Sequence, residues 1–199
     1  MRSLPNLLAL FAAILAANCS RPESYKAVVE EELAKGVCYD SIFHGLHFNM
    51  SSDQFYEHSF QMNQHGIFFQ HGGSQEIKID FKEEFKSPVE FVFYPNFEDE
   101  VIVELKGSFY YTLWNGFNKE YFAQNLQLEL IPKLERWYEG RPFIKISSAP
   151  SSIGDTYVKV DGNRQIKLSN SFDNHKVEIL FSDLTKVQST PIGQTGESN

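Results

Sequence analysis

Residues 77–82 read Ile77-Lys78-Ile79-Asp80-Phe81-Lys82, and they decide the fold because apolar and charged side chains alternate strictly along them. Successive side chains of a strand point to opposite faces of a sheet, so this stretch predicts a strand with one buried and one solvated face. Such one-sided burial is typical of antiparallel sheets. Residues 89–93 and 101–105 repeat the pattern, and with residues 67–70 they predict four strands.

Turn residues separate these four strands. Gly72-Gly73, Ser87-Pro88 and Pro95-Asn96 each interrupt the alternation with residues that favour turns. Connections this short join neighbouring antiparallel strands, so we expect a meander.

Two helices are predicted before the first strand. Residues 25–35 are good helix formers and end at Gly36, which can take the left-handed backbone conformation that closes a helix. Ser51 and Gln54 have the spacing of a capping box, which predicts a second helix that ends at Gly66.

The second half begins with another predicted helix, capped by Asn118, running to Tyr138 and ended by Gly140. Pro132 lies inside it, and an interior proline removes a hydrogen bond, so we expect a kink or two segments. A short strand is the alternative, because apolar side chains also alternate at Leu126, Leu128 and Leu130.

Four more strands are predicted after this helix, at residues 143–147, 156–160, 165–169 and 177–182. Residues 161–164, Asp-Gly-Asn-Arg, form a strong hairpin signal between two of them, because Asp-Gly tolerates positive φ.

The order of predicted elements is therefore helix and four strands, twice. Residues 52–56 and 118–122 share a weak pattern of cap, charged, acidic or amide, and two aromatic residues. We predict an α+β fold in which helices cover antiparallel sheet, with one unit at 25–113 and a second at 114–186. Residues 187–199 are polar and are predicted to be a disordered tail.

Composition limits the class of partner. The 199 residues are 42% hydrophobic and 22% charged, which is typical of a globular protein. The formal net charge of −8 argues against nucleic acid, whose phosphates require a basic surface. Two cysteines cannot form a disulfide framework.

The N-terminal residues 1–18 are predicted to be an export signal. Arg2 supplies a positive start, and residues 7–17 are an uninterrupted apolar run of 11. A membrane-spanning helix needs about 20 apolar residues, whereas this length suits a secretory signal peptide.

The end of that segment, Leu15-Ala16-Ala17-Asn18-Cys19, resembles a bacterial lipobox. This resemblance implies that Cys19 becomes the first mature residue and carries the lipid, with 19–24 as a tether to the membrane. Ser20 in place of Asp implies the outer membrane. The alternative is cleavage nearby by ordinary signal peptidase, which would leave Cys19 free to pair with Cys38.

Residues 48–55 resemble the helix opening of small outer-membrane lipoproteins that place helices on an antiparallel sheet. The whole chain loosely resembles envelope lipoproteins of Bacteroidetes-type bacteria. That class implies a location in the cell envelope and carries no assigned activity.

Five of the six histidines fall in one stretch: His44, His47, His58, His65 and His71. Histidine is the commonest metal ligand in proteins, so a metal site has to be considered there. Their spacing argues against one site, because seven residues of helix separate His58 from His65 by about 10.5 Å. No sequence motif for a catalytic nucleophile is present. A metal-binding protein or an enzyme that uses residues 44–71 is the alternative function.

Aromatic residues crowd the joint between the two units, where most should pack and some could line a pocket: Phe109, Tyr110, Tyr111, Trp114, Phe117, Tyr121 and Phe122.

We expect a lipid-anchored, non-enzymatic binding or interaction module without a cofactor. Its partner would be an envelope protein or a small apolar ligand. A carrier would require a lined cavity between sheet and helices, not a filled core.

Overall fold

The computed structural model describes residues 24–146 and 154–187. These residues form three α-helices and an eight-stranded antiparallel sheet, which confirms the predicted α+β class. The predicted signal segment, the lipidation residue Cys19 and residues 188–199 of the predicted tail lie outside the described residues.

The helices are α1 (Tyr25–Ala34), α2 (Ser52–Gln64) and α3 (Ala123–Tyr138), and a 3₁₀ turn at Lys119–Tyr121 precedes α3. The capping box of α2 is confirmed. The Ser51 hydroxyl accepts a hydrogen bond from the Gln54 amide at 3.2 Å, and the Gln54 side chain accepts one from the Ser51 amide at 2.9 Å.

The eight strands form one sheet in the order β1-β2-β3-β4-β8-β7-β6-β5, and every neighbouring pair is antiparallel. Each half of the chain supplies a four-stranded meander, and the last strands of the two meanders pair in the middle. The bounds are β1 (Phe69–Gln70), β2 (Ile77–Phe81), β3 (Val89–Glu98), β4 (Val101–Tyr111), β5 (Ile144–Ile146), β6 (Thr156–Asp161), β7 (Arg164–Asn170) and β8 (Val177–Asp183).

The turn predicted at Pro95-Asn96 is wrong. Both residues lie inside β3, and Pro95 is the partner of Leu105 in β4. On its other side β3 has no partner there, because β2 begins at Ile77, opposite Phe93. A proline without an amide hydrogen is tolerated at such an unpaired edge. The chain reverses instead at Asp99 and Glu100, which both have positive φ.

The predicted start of the second long helix is also wrong. Asn118 caps only the 3₁₀ turn, where its side chain accepts from the Glu120 amide at 3.1 Å. The helix α3 begins at Ala123 and continues through Pro132 as a single element, so neither the two segments nor the alternative strand is found. The exposed position of Leu128 lets water hydrate the carbonyl that Pro132 leaves without an amide partner.

The main core lies between α3 and one face of the sheet. Leu126, Leu130 and Leu134 recur every four residues along α3 and are buried against β4, β8 and β7. The helix α1 covers the opposite face at the far end of the sheet, where Val28 packs on Val158 and Val160 of β6.

The predicted duplication stays a prediction. The order of elements, a helix followed by four strands, does occur twice, and both halves join one continuous sheet. The five-residue similarity, however, falls on different conformations, since residues 52–56 are α-helical and residues 118–122 contain the 3₁₀ turn.

Candidate functional site

A cleft of about 570 Å³ lies between the sheet, the C-terminal half of α3 and the segment 39–44. We call it the apolar cleft, because most of its wall is aromatic or aliphatic. Its walls are formed by Ile79, Phe81, Phe91, Phe109, Phe181 and Arg164 from the sheet, Leu134, Trp137 and Tyr138 from α3, residues 39 and 41–44, and Glu84.

The floor of the apolar cleft is built from rings on adjacent strands. Phe91 of β3 and Phe109 of β4 are direct cross-strand partners, and their rings stack with centroids 4.0 Å apart. Gly107, beside them, leaves room for the Phe91 ring, because a Cβ at this position would lie 2.3 Å from Phe91 Cε2. Both rings are almost completely buried, so they form a close-packed apolar floor under the cleft.

The segment 39–44 forms the wall opposite α3. It is held at both ends: the Tyr39 amide donates to the Asn163 side chain at 2.6 Å, and the Ile42 amide donates to the Leu46 carbonyl at 2.8 Å. The Tyr138 hydroxyl of α3 donates to the Ile42 carbonyl at 2.6 Å, which joins the segment to the helix. Burial raises the pKa of Tyr138, so this hydroxyl stays protonated and keeps donating.

One end of the apolar cleft carries a buried cation. The guanidinium of Arg164 lies between the rings of Tyr39 and Tyr138, with centroid distances of 5.1 and 4.7 Å. Its Nη1 donates to the Ser41 carbonyl at 3.0 Å, while its Nη2 is 3.5 Å from Asp161. Among the described residues, no group accepts a hydrogen bond from its Nε.

Asp161 is committed mainly to other donors. Its carboxylate is 2.9 Å from the Lys159 ammonium and accepts from the Arg141 amide at 3.1 Å. Lys159 also donates to the carbonyl oxygens of Glu139 and Arg141. In the described part of the chain, Arg164 is therefore left without a close carboxylate partner.

The candidate histidines do not come together as one metal site. Within residues 24–146 and 154–187, no group of three His, Cys, Asp or Glu side chains is placed to hold an ion. The closest association is that of His58, whose Nε2 is 2.7 Å from the His44 carbonyl. Burial, and then the charge of His58, lower the pKa of His44.

The other three histidines each lie at a different place. His47 contacts the Phe48 carbonyl through Nδ1, and His65 contacts the Gln61 carbonyl at the end of α2. His71 lies in the loop before β2, next to the opposite face of the sheet. Cys38 is exposed and forms no disulfide within the described part of the chain.

Most of the aromatic residues between the two predicted units pack against other side chains, as expected. Only one of these residues lines the apolar cleft. Phe109 does so, whereas Tyr111 is buried against Tyr121. Trp114 stacks on His175, and Phe117 is 99% exposed.

A second depression, of about 700 Å³, lies on the opposite face of the sheet. Polar and charged side chains dominate its rim, including Lys106, Lys167, Lys176 and Glu178. Small-molecule sites are mostly apolar with a few convergent polar groups, and the apolar cleft matches that description better.

Sequence reasoning missed both Arg164 and the segment 39–44 as parts of a site. In the sequence, Arg164 is identified only as the last residue of the hairpin turn 161–164. Its burial beside the cleft depends on the tertiary fold and cannot be recognised from neighbouring residues. The available signal for the segment was its aromatic character, because Tyr39 and Phe43 stand in a stretch without helical or strand periodicity.

No family model, curated protein or solved structure matches the chain. In the described ranges, no helix has the length and apolar character needed to cross a membrane. The fold and the cleft together define an α+β protein with an apolar cavity between sheet and helix.

Proposed function

We propose that this protein is a non-enzymatic binding protein that holds a small apolar molecule in the apolar cleft and is tethered to the cell envelope by lipid on Cys19. The observation that carries the binding function is the apolar lining of the cleft between sheet and helix. The cleft opens to solvent and has a volume of about 570 Å³, so a small molecule can enter it and contact apolar side chains from both the sheet and α3.

The size and chemistry of the cleft support a small ligand. Small-molecule sites commonly measure about 300–1,000 Å³ and combine apolar walls with a few polar groups. An apolar ligand gains about 25 cal/mol for each Å² of apolar surface removed from water. The rigid strands under the rings mean that little ordering free energy is spent on binding.

A neutral fluorescent probe tests the binding function. N-phenyl-1-naphthylamine, titrated into the full chain, should bind saturably with one probe per protein. Trp137→Ala removes an aromatic side chain from the wall of the cleft and should weaken binding about threefold to tenfold. Phe117→Ala is the control, since it removes an exposed ring outside the cleft and should leave affinity unchanged.

Two results would contradict the binding function. One is the absence of saturable binding, and the other is an equal loss in Trp137→Ala and Phe117→Ala, which would place the probe elsewhere on the surface.

The envelope location rests on the resemblance of residues 15–19 to a lipobox. Two or three acyl chains anchor a protein stably, since each buried methylene contributes about 0.8 kcal/mol. Labelling of bacterial cells with a palmitate analogue should mark the wild type and Cys38→Ala but not Cys19→Ala. Label retained in Cys19→Ala would reject the anchor, and the binding function would stand independently.

A further inference from the structure

We infer that the ligand of the apolar cleft is a long-chain carboxylate, with a single apolar chain along the sheet and its carboxylate against Arg164. This inference rests on the proposed binding function and names the chemical class of its ligand.

The shape of the apolar cleft favours a chain over a compact ring system. Its lining extends from Ile79 and Phe81 of β2 to Arg164 of β7, and β3, β4 and β8 lie between those strands. Four interstrand spacings correspond to about 19 Å. A cleft of about 570 Å³ that extends over that length is elongated, which suits an extended chain better than a compact ring system.

The Arg164 end favours a negative group. The Arg164 side chain is 5% exposed, so its charge has lost most of its hydration. Within residues 24–146 and 154–187, its one carboxylate contact is the 3.5 Å approach to Asp161, whereas charge-assisted pairs normally lie at about 2.7–2.9 Å. The nearby Asp183 carboxylate accepts instead from Asn163 at 3.0 Å and from Thr185 at 2.7 Å.

The free donor indicates a singly charged group. Arg164 is one of the residues that line the cleft, and among the described residues its buried Nε–H has no acceptor. One free donor on a weakly paired cation suits a monoanion that accepts a single charge-assisted hydrogen bond. A phosphate would bring more acceptors than this end can satisfy.

The other end of the cleft fixes the direction of the chain. Glu84 follows β2 and is the acidic residue in the lining. Its negative charge would repel an anionic head group there. The carboxylate therefore lies at β7 and the methyl end lies toward β2.

Displacement of the neutral probe from the full chain tests the ligand class without any mutation. We expect hexadecanoate to displace N-phenyl-1-naphthylamine at a concentration about tenfold or more below that of hexadecanol, because only the carboxylate can pair with Arg164. Hexadecyltrimethylammonium should displace it least. Equal potency of hexadecanol, or tighter binding of hexadecyl phosphate or the ammonium compound, would overturn the carboxylate.

These outcomes separate the two proposals. Saturable probe binding without a preference for hexadecanoate rejects the ligand class and leaves the binding function in place. Failure of the probe and of every chain compound to bind rejects both.

Arg164→Lys locates the head group, because lysine keeps the positive charge and loses the free Nε–H donor. The ratio of hexadecanoate to hexadecanol affinity should fall about tenfold in this variant. Arg136→Lys, an exposed arginine on α3, is the matched control and should keep the ratio. General misfolding would weaken both ligands together, so an unchanged ratio in Arg164→Lys would overturn the inference.

Discussion

The ammonium of Lys159 and the carboxylate of Asp161 form an ion pair that is almost completely removed from solvent, with side chains 0% and 8% exposed and a closest distance of 2.9 Å. The two residues stand at alternate positions of β6, so their side chains share the face of the sheet toward α3. The carbonyls of Glu139 and Arg141 accept the remaining ammonium hydrogens. The pair thus joins the end of α3 to the sheet beside the apolar cleft.

Lys159→Met should destabilise the protein by about 3–5 kcal/mol, because it leaves a buried carboxylate and two carbonyls without their donor. Lys145→Met is the matched control, since Lys145 pairs with Asp155 at 2.7 Å on an exposed surface, where loss of the pair should change stability little. Urea unfolding of both variants measures the difference. Equal losses would show that the Lys159 pair contributes no more than a surface pair.

Leu126→Ala should cost about 2–5 kcal/mol, while Leu128→Ala should change stability by less than about 0.5 kcal/mol. The side chains are 0% and 65% exposed, because residues two apart on a helix point to different sides. In a strand they would share one face, so the same experiment distinguishes the two conformations. Similar losses of unfolding free energy for both variants would support the strand.

Gly162→Ala should destabilise the β6–β7 hairpin by more than about 1 kcal/mol. Gly162 has φ +55°, and an added Cβ would lie 2.2 Å from the Val37 carbonyl oxygen. Gly73→Ala is the control, because nothing lies within 4 Å of a Cβ there. Thermal unfolding of the two variants should show the loss only at Gly162, and an unchanged melting temperature there would contradict the close approach.

Stability should decline as the pH falls below about 6.5, in part because of His175. Burial lowers the pKa of His175, with Lys176 acting in the same direction and Asp173 opposing it. The folded state therefore favours the neutral ring, and the unfolded chain binds the proton more tightly. The stabilising contribution is complete above the unfolded pKa and is lost as the pH falls through the folded pKa.

His175→Phe tests this pH dependence, because phenylalanine keeps a ring against Trp114, whose centroid is 4.2 Å away. The unfolding free energy of each protein is measured from pH 8 to pH 5 and compared with its own value at pH 8. The decline should be smaller in the variant than in the wild type. Parallel declines would show that His175 does not contribute. A residual decline in the variant is expected from His44, whose pKa burial also lowers.

Local sequence was sufficient where a conformation depends on a few neighbouring residues. The alternation at 77–82, the capping box at Ser51 and the hairpin at 161–164 all appear in the structure as predicted. The local sequence led to the wrong prediction at Pro95, because a proline is tolerated there only where the neighbouring strand β2 has not yet begun.

The sequence by itself determined most of the strands, the capping box of α2 and the α+β class, since side-chain periodicity and turn chemistry act over a few residues. Only the tertiary structure decided that Tyr39, Tyr138 and Arg164 meet at one end of a cleft. These residues come from three separate segments, and their approach depends on the sheet order and the crossing of α3. Burial then gives the Arg164 charge its chemical significance, because desolvation is a property of the assembled surroundings and not of the residue alone.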